Sequence, residues 1–353
     1  MRTKTWLITS LISSLLLFLP GCLDIYLTTE LFRNGEVEKT IVIKGDSTDI
    51  LEAPFYFVND DGWNRTWTEG DGDDKDQKRL ILNRHFKSVK EMNLAMNPPD
   101  TSIRSIRVQS SLKRKFRWFF TYLNYSETIQ KADPYNTQDW HDYLAEEEIK
   151  LLRVKSEEER KSDPNYDEKA YKQAEDHFSE FIMRSMFDSF MNTVETLLNN
   201  KPELQPLKAE IDAGREEFFR YLTDSTDTQD GDRIFMAMTD FFENISALND
   251  LVNEHPEAFQ DFNNKVDLLN KMGSNSYKFI IRMPGILMNT TSNQVQGTES
   301  RWELVMEDFY FDDYTLSCES RVINIWAFWI AGFILLLAIG TLTVGFIRRV
   351  RRQ

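Results

Sequence analysis

DIYLTTELFRNGEVEKTIVIK, residues 24–44, alternates apolar and polar side chains on either side of Arg33-Asn34-Gly35-Glu36. A period of two is that of a strand with one buried face, and Asn-Gly between two such runs suits a two-residue type I′ turn, so the stretch predicts a β-hairpin. Further on, Phe55 to Val58 reads as a short strand and Arg79 to Phe86 as a longer one. Ser88-Val89-Lys90-Glu91 is a capping box that opens a short helix to Met96. Ile103 to Tyr125 reads as one long strand or two joined by a bulge. Val108, Leu112, Phe116, Trp118, Phe120 and Tyr122 lie on one face, and Phe119, Leu123 and Tyr125 on the other. Apolar residues on both faces predict a central strand covered on two sides.

From Trp140 the period changes to that of helices. Stripes run from Tyr171 to Leu197 on a helix over Asp167 to Asn199, from Leu204 to Leu222, from Ile234 to Val252, and from Phe259 to Leu269 on a helix that Pro256 opens and Gly273 closes. Their short connections predict an antiparallel bundle. At Tyr277 the alternation returns through Phe279, Ile281 and Met283, and after Pro284-Gly285 further strands follow at 286–288, 301–305 and 314–317. Strands, then helices, then strands indicate an α+β fold: an antiparallel sheet domain made of residues 22–135 and 276–320, interrupted by a helical insertion at 136–275. Three independent pieces are the alternative.

The two ends predict how the chain is held. Arg2 and Lys4 precede an apolar run from Trp6 to Leu19, the pattern of a signal peptide over residues 1–21. Leu19-Pro20-Gly21-Cys22 looks like a bacterial lipobox, in which Cys22 becomes the new N-terminus and carries acyl chains such as palmitate; a plain signal anchor is the competing reading. The segment 322–347 contains 23 residues without a charge, Ile325 to Ile347. At 1.5 Å per residue such a run crosses a hydrocarbon core of about 30 Å. Trp326 and Trp329 stand at its start, and Arg348, Arg349, Arg351 and Arg352 in the tail 348–353 place the C-terminus in the cytoplasm. The expectation is a single-pass protein of the bacterial cytoplasmic (inner) membrane with its large domain outside the cytoplasm.

With 41% apolar residues and 25 Phe in 353, the chain has ample material for a core. Its 57 acids against 42 bases, a net charge of −15, argue against a nucleic-acid partner, and two Cys exclude a disulfide scaffold. Setting aside the bases of the signal and the tail takes the charge of residues 23–321 to −21. Against that background Lys113, Arg114, Lys115 and Arg117, next to Trp118, stand out as a contact for lipid headgroups or an acidic partner; a solvated strand edge is the plain alternative. There is no nucleophile elbow, zinc-protease motif, phosphate loop or dinucleotide fingerprint, and each of the four His is alone in its segment. The acidic run at 71–76 departs from the EF-hand pattern. No catalytic, cofactor-binding or metal-ligating residue is therefore assigned. Cys318, seven residues before the apolar run, reads as a lone thiol near the membrane surface or the partner of Cys22 in a disulfide.

Cys22, the Asn34-Gly35 hairpin, Met283-Pro284-Gly285, the Asn/Gly-rich turn after it and Trp302 together resemble LppM-type lipoprotein domains, and more broadly bacterial membrane lipoproteins. The resemblance implies an extracytoplasmic α+β module that binds an envelope lipid or glycolipid, with no catalytic residue. The expectation is thus a non-catalytic binding or envelope-assembly module for a lipid, glycolipid or protein partner. A carboxylate-dependent hydrolase or transferase acting on envelope polymers is the alternative.

Overall fold

A computed structural model describes residues 23–69, 77–98, 105–153, 166–199, 201–224 and 253–351, with single positions between 234 and 250. Cys22 and the signal segment lie outside the described residues, as do the acidic clusters at 71–76, 157–159 and 227–232.

β1 (Asp24–Leu31) and β2 (Val37–Gly45) pair antiparallel from Asp24↔Lys44 to Leu31↔Val37. Their turn is longer than the expected type I′, which needs positive φ at both central residues. Only Gly35 has it, at +95°; it donates to the Phe32 carbonyl while Phe32 N–H reaches the Glu36 carbonyl. Asn34 instead accepts from Glu36 N–H through its side chain, so the loop has three residues and a glycine bulge.

α1 (Ser47–Leu51) follows. Phe55 to Val58 is not a strand: Tyr56–Asn59 is a 3-10 turn, which lets Phe55, Phe57 and Val58 all face the core where alternation would turn Val58 outward. β3 (Asn64–Glu69), β4 (Lys78–Phe86) and α2 (Val89–Met96) come next. Then β5 (Val108–Arg117) and β6 (Phe120–Ile129) form a hairpin, Arg117 pairing with Phe120 across Trp118-Phe119. This corrects the expectation of a continuous or bulged strand. The reversal puts Leu123 and Tyr125 on the face that carries Val108 and Leu112, so one face is buried, while Phe116, Trp118 and Phe119 are exposed.

The helical part contains α3 (Glu146–Leu152), α4 (Glu168–Asn199), α5 (Gln205–Asp224) and α6 (Pro256–Ser274). From the helix expected over 234–252, Ile234, Met238 and Phe242 are buried in the bundle core; Ile245, Leu248 and Val252 lie outside the described residues. α4 serves two cores. Ala174 and Phe181 pack into the core of the sheets, and Phe187, Phe190 and Val194 into that of the bundle.

The chain then adds β7 (Ser276–Arg282), β8 (Ile286–Thr290), β9 (Gln294–Gln296), β10 (Glu299–Leu304), α7 (Met306–Tyr310), β11 (Tyr314–Ile323) and α8 (Ile325–Val350). The described strands form two sheets rather than one, ordered β3-β4-β2-β1-β7-β10-β9 and β5-β6-β11-β8. β1 and β7 run parallel, the exception to antiparallel pairing among the described strands. A parallel neighbour needs a long crossover, and the helices lie within this one. At Gly285, φ +87°, the chain leaves the first sheet for the second, and a Cβ there would lie 2.5 Å from the Arg321 carbonyl oxygen. The free edge of β5 is covered: the side chains of Asn93 on α2 and of Asn97, which caps its C-terminus, exchange hydrogen bonds of 2.7–3.1 Å with the backbone of Ser110 and Val108. The fold is thus α+β with antiparallel sheets, inserted helices and an apolar C-terminal helix, whose stretch Ile325–Ile347 is long and apolar enough to cross a membrane.

Candidate functional site

β11 runs into α8 through Asn324, and the β5–β6 turn is fastened to that junction. Asn324 N–H donates to the Phe119 carbonyl at 2.9 Å, its Nδ2 to the carbonyls of Trp118 at 3.2 Å and Arg117 at 3.4 Å, and its Oδ1 accepts from Thr121 Oγ1. A single residue thereby satisfies most of a turn that has no Gly or Asn of its own. Aromatic rings complete the joint. Phe116 stacks on Trp326, Trp118 meets Trp326 edge-on at 5.6 Å, and Phe119 and Phe120 both contact Phe328. Trp118 remains 48% exposed and Trp329 77%, so the collar offers apolar surface to its surroundings. Trp and Tyr favour a membrane–water boundary because one end of the ring is apolar and the other polar.

The basic segment is divided by the pleat. Lys113, Lys115 and Arg117 are exposed on the outer face of the four-stranded sheet, and Arg114 lies on the inner face with Phe116. Across the ladder Lys115 is opposite Tyr122, which is opposite Arg321, and the Arg321 guanidinium lies 4.7 Å from the centre of the Phe120 ring. Glu319 is the acid on the rows next to these, opposite Asn124 and Lys113's row. Sequence reasoning did not single out Arg321 or Asn324. Alternation along β11 carries the signal for Arg321, whereas nothing local marks Asn324.

A second polar cluster is buried between the sheets. Lys39 of β2 and Glu127 of β6 form an ion pair at 2.9 Å with neither side chain more than 1% exposed. Lys39 also donates to Thr29 Oγ1 at 2.6 Å, Tyr125 OH donates to Glu127 at 2.6 Å, and Thr29 bonds Glu127 as well. Burial, with the Glu127 charge added, holds the Tyr125 hydroxyl well above its ordinary pKa. Each of these polar residues interrupts an apolar stretch of its inward row: Thr29 after Ile25 and Leu27, Lys39 between Val37 and Ile41, Glu127 between Tyr125 and Ile129. Cys318 belongs to this interior. It is 3% exposed, its thiol lies 3.5 Å from Thr290 Oγ1, and burial pushes its pKa up despite the Ser300 and Thr290 hydroxyls. The thiol is free and buried, because β11 alternates and Cys318 falls on the inward row with Leu316 and Ser320.

Among the helices a groove lined by Tyr135, Ser189, Asn192, Thr193 and Lys265 has Asp261 as its carboxylate. No group of three or more His, Cys, Asp or Glu suited to a metal occurs among the described residues.

Fold and junction together define a mixed sheet-and-helix module attached to an apolar helix. No protein-family model matches the chain, and no curated protein matches it in sequence. Among solved structures it is similar to the NMR structure of the Mycobacterium tuberculosis LppM protein folded domain, at 7% identity and a TM-score of 0.27 over 87% of this chain and 94% of that one, a likeness too low to carry an inference.

Proposed function

We propose that this chain is a membrane-anchored, extracytoplasmic module without catalytic chemistry, which meets lipid headgroups with the outer face of its β5–β6 hairpin. In this reading Ile325 to Ile347 spans the cytoplasmic membrane with the Arg-rich tail inside, Cys22 is the lipidated mature N-terminus, and residues 22–135 and 276–320 form one unit that carries the helices of 136–275 as an insertion. The observation that carries it is the clamp at Asn324, which binds the hairpin carrying Lys113, Lys115 and Arg117 to the first residue before the apolar helix. A helix that enters a bilayer at Ile325 brings exposed bases and the Trp118 and Trp326 rings to headgroup level, where each base contributes about 1 kcal/mol against an anionic surface. The rest of the acidic domain is held away by the same field.

Flotation of residues 23–324, which keep the Asn324 clamp, with anionic and neutral liposomes, at low and high salt, tests the reading. The wild type is expected to float with anionic vesicles at low salt only, and a variant with Lys113, Lys115 and Arg117 replaced by Gln to stay at the bottom. Equal flotation of the two proteins would remove the lipid contact. Lipidation is tested separately: mass spectrometry of the N-terminal peptide is expected to show cleavage after Gly21 and added acyl mass.

A further inference from the structure

Where the inner face of the four-stranded sheet meets α8 there is a cavity of about 290 Å³. Leu123 and Val322 give it an apolar floor, and its rim is Arg33 from the β1–β2 turn, Arg114 from β5 and Trp326 from the first turn of α8. No carboxylate among the described residues lines it. Arg114 is held in place by two hydrogen bonds, Nη1 to the Asn34 carbonyl at 2.9 Å and Nη2 to the Arg33 carbonyl at 3.0 Å. These use two of the five N–H donors of a guanidinium and leave three for a ligand. Arg33 is exposed beside it and forms no ion pair with a described carboxylate.

Two guanidiniums beside the first turn of α8 suit an anion with several oxygens. The floor and Trp326 suit an apolar portion of the same molecule. The volume is at the small end for a ligand site, large enough for a headgroup and too small for acyl chains. We propose that this cavity seats the phosphate of an anionic phospholipid, of the phosphatidylglycerol kind, drawn from the leaflet that α8 enters, with its chains left in the bilayer. The proposal rests on the reading of α8 as a membrane span and concerns the face of the sheet opposite Lys113, Lys115 and Arg117. A choline headgroup fits less well because its cation meets two arginines.

The test uses the full chain, purified in a neutral detergent, stripped of lipid and titrated with phosphatidylglycerol, phosphatidylcholine or inorganic phosphate, with bound lipid read by native mass spectrometry and stability by the unfolding temperature. Phosphatidylglycerol is expected to bind about tenfold tighter than phosphatidylcholine, and Arg33→Gln to lose about tenfold, the effect of one charge-assisted hydrogen bond. The unfolding temperature of that variant without lipid should be unchanged, since the Arg33 side chain makes no hydrogen bond among the described residues. Replacing Lys113, Lys115 and Arg117 by Gln should weaken headgroup binding in detergent by less than Arg33→Gln does. Equal binding by wild type and Arg33→Gln overturns the proposal, as does equal stabilisation by inorganic phosphate, which marks a simple anion site. If the outer-face variant loses the lipid and Arg33→Gln keeps it, the cavity is refuted and the outer-face contact stands.

Discussion

Lys39 and Lys115 lie on antiparallel strands of the same acidic protein, and their surroundings differ in every respect. Lys39 is enclosed between two sheets with its charge matched by Glu127 and its remaining donors met by Thr29 and the second Glu127 oxygen. Lys115 is exposed, faces Tyr122 across the ladder and has Arg321 two strands away. A buried charge must be paired because its desolvation cost is several kcal/mol; an exposed one carries almost no such constraint. The lesson is that the first lysine is held by its partner and fixes how the sheets sit on each other, while the second is free to meet something outside the chain.

The comparison breaks most visibly at Lys39. Lys39→Met is expected to cost about 3–5 kcal/mol in urea denaturation of residues 23–324, because Glu127 is left buried and unpaired. Adding Glu127→Leu should return part of that loss, the rest remaining because Thr29 and Tyr125 lose their acceptor. A cost below about 1 kcal/mol for Lys39→Met would show that the pair is solvated.

Asn324→Ala comes next. With several hydrogen bonds to the β5–β6 turn removed at its edge, about 1–2 kcal/mol of local stability should go, seen as faster amide exchange across Phe119 to Leu123 and slower changes elsewhere. Uniform exchange throughout the four-stranded sheet would mean that Asn324 supports the fold as a whole.

Among the exposed bases the effects should be graded. Strand residues advance about 3.3 Å, so Lys113 stands about 13 Å behind Arg117, beyond the screening length of about 10 Å at 0.1 M salt, the ionic strength at which the single variants are compared. Single Gln substitutions should therefore weaken flotation in the order Arg117, Lys115, Lys113. Equal effects would place the strand flat along the surface rather than end-on.

The smallest effect concerns Cys318. Its pKa is raised in the fold by burial, so above about pH 8.5 the unfolded thiol loses its proton and the folded one keeps it. Stability from this group is full below that pH and falls as the pH rises toward the folded value. Cys318→Ala should flatten this part of the pH–stability curve, and alkylation of the native thiol at pH 8 should be slow beside that of the unfolded chain.

What could be read from sequence is what neighbours along the chain decide. The apolar run from Ile325 to Ile347 by itself specifies a helix long and apolar enough to cross a membrane, since length and hydropathy are local quantities. The β1–β2 hairpin and the stripe on α4 follow from periods of two and 3.6 within one segment, and the alternation of residues 24–44 already assigns an inward row. The turn at Trp118-Phe119 was invisible because its hydrogen-bond partner, Asn324, is 206 residues from Trp118. Lys39 is, along the chain, only a polar residue in an apolar row; its partner Glu127 is 88 residues away and faces it across the sheets. The split of the basic segment into Lys113, Lys115 and Arg117 on one side and Arg114 on the other follows from the pleat once β5 is known to end at Arg117, and the β1–β2 turn then gives Arg114 its carbonyls. Periodicity places side chains on faces; which faces meet depends on contacts between distant segments, and those exist only in the folded chain.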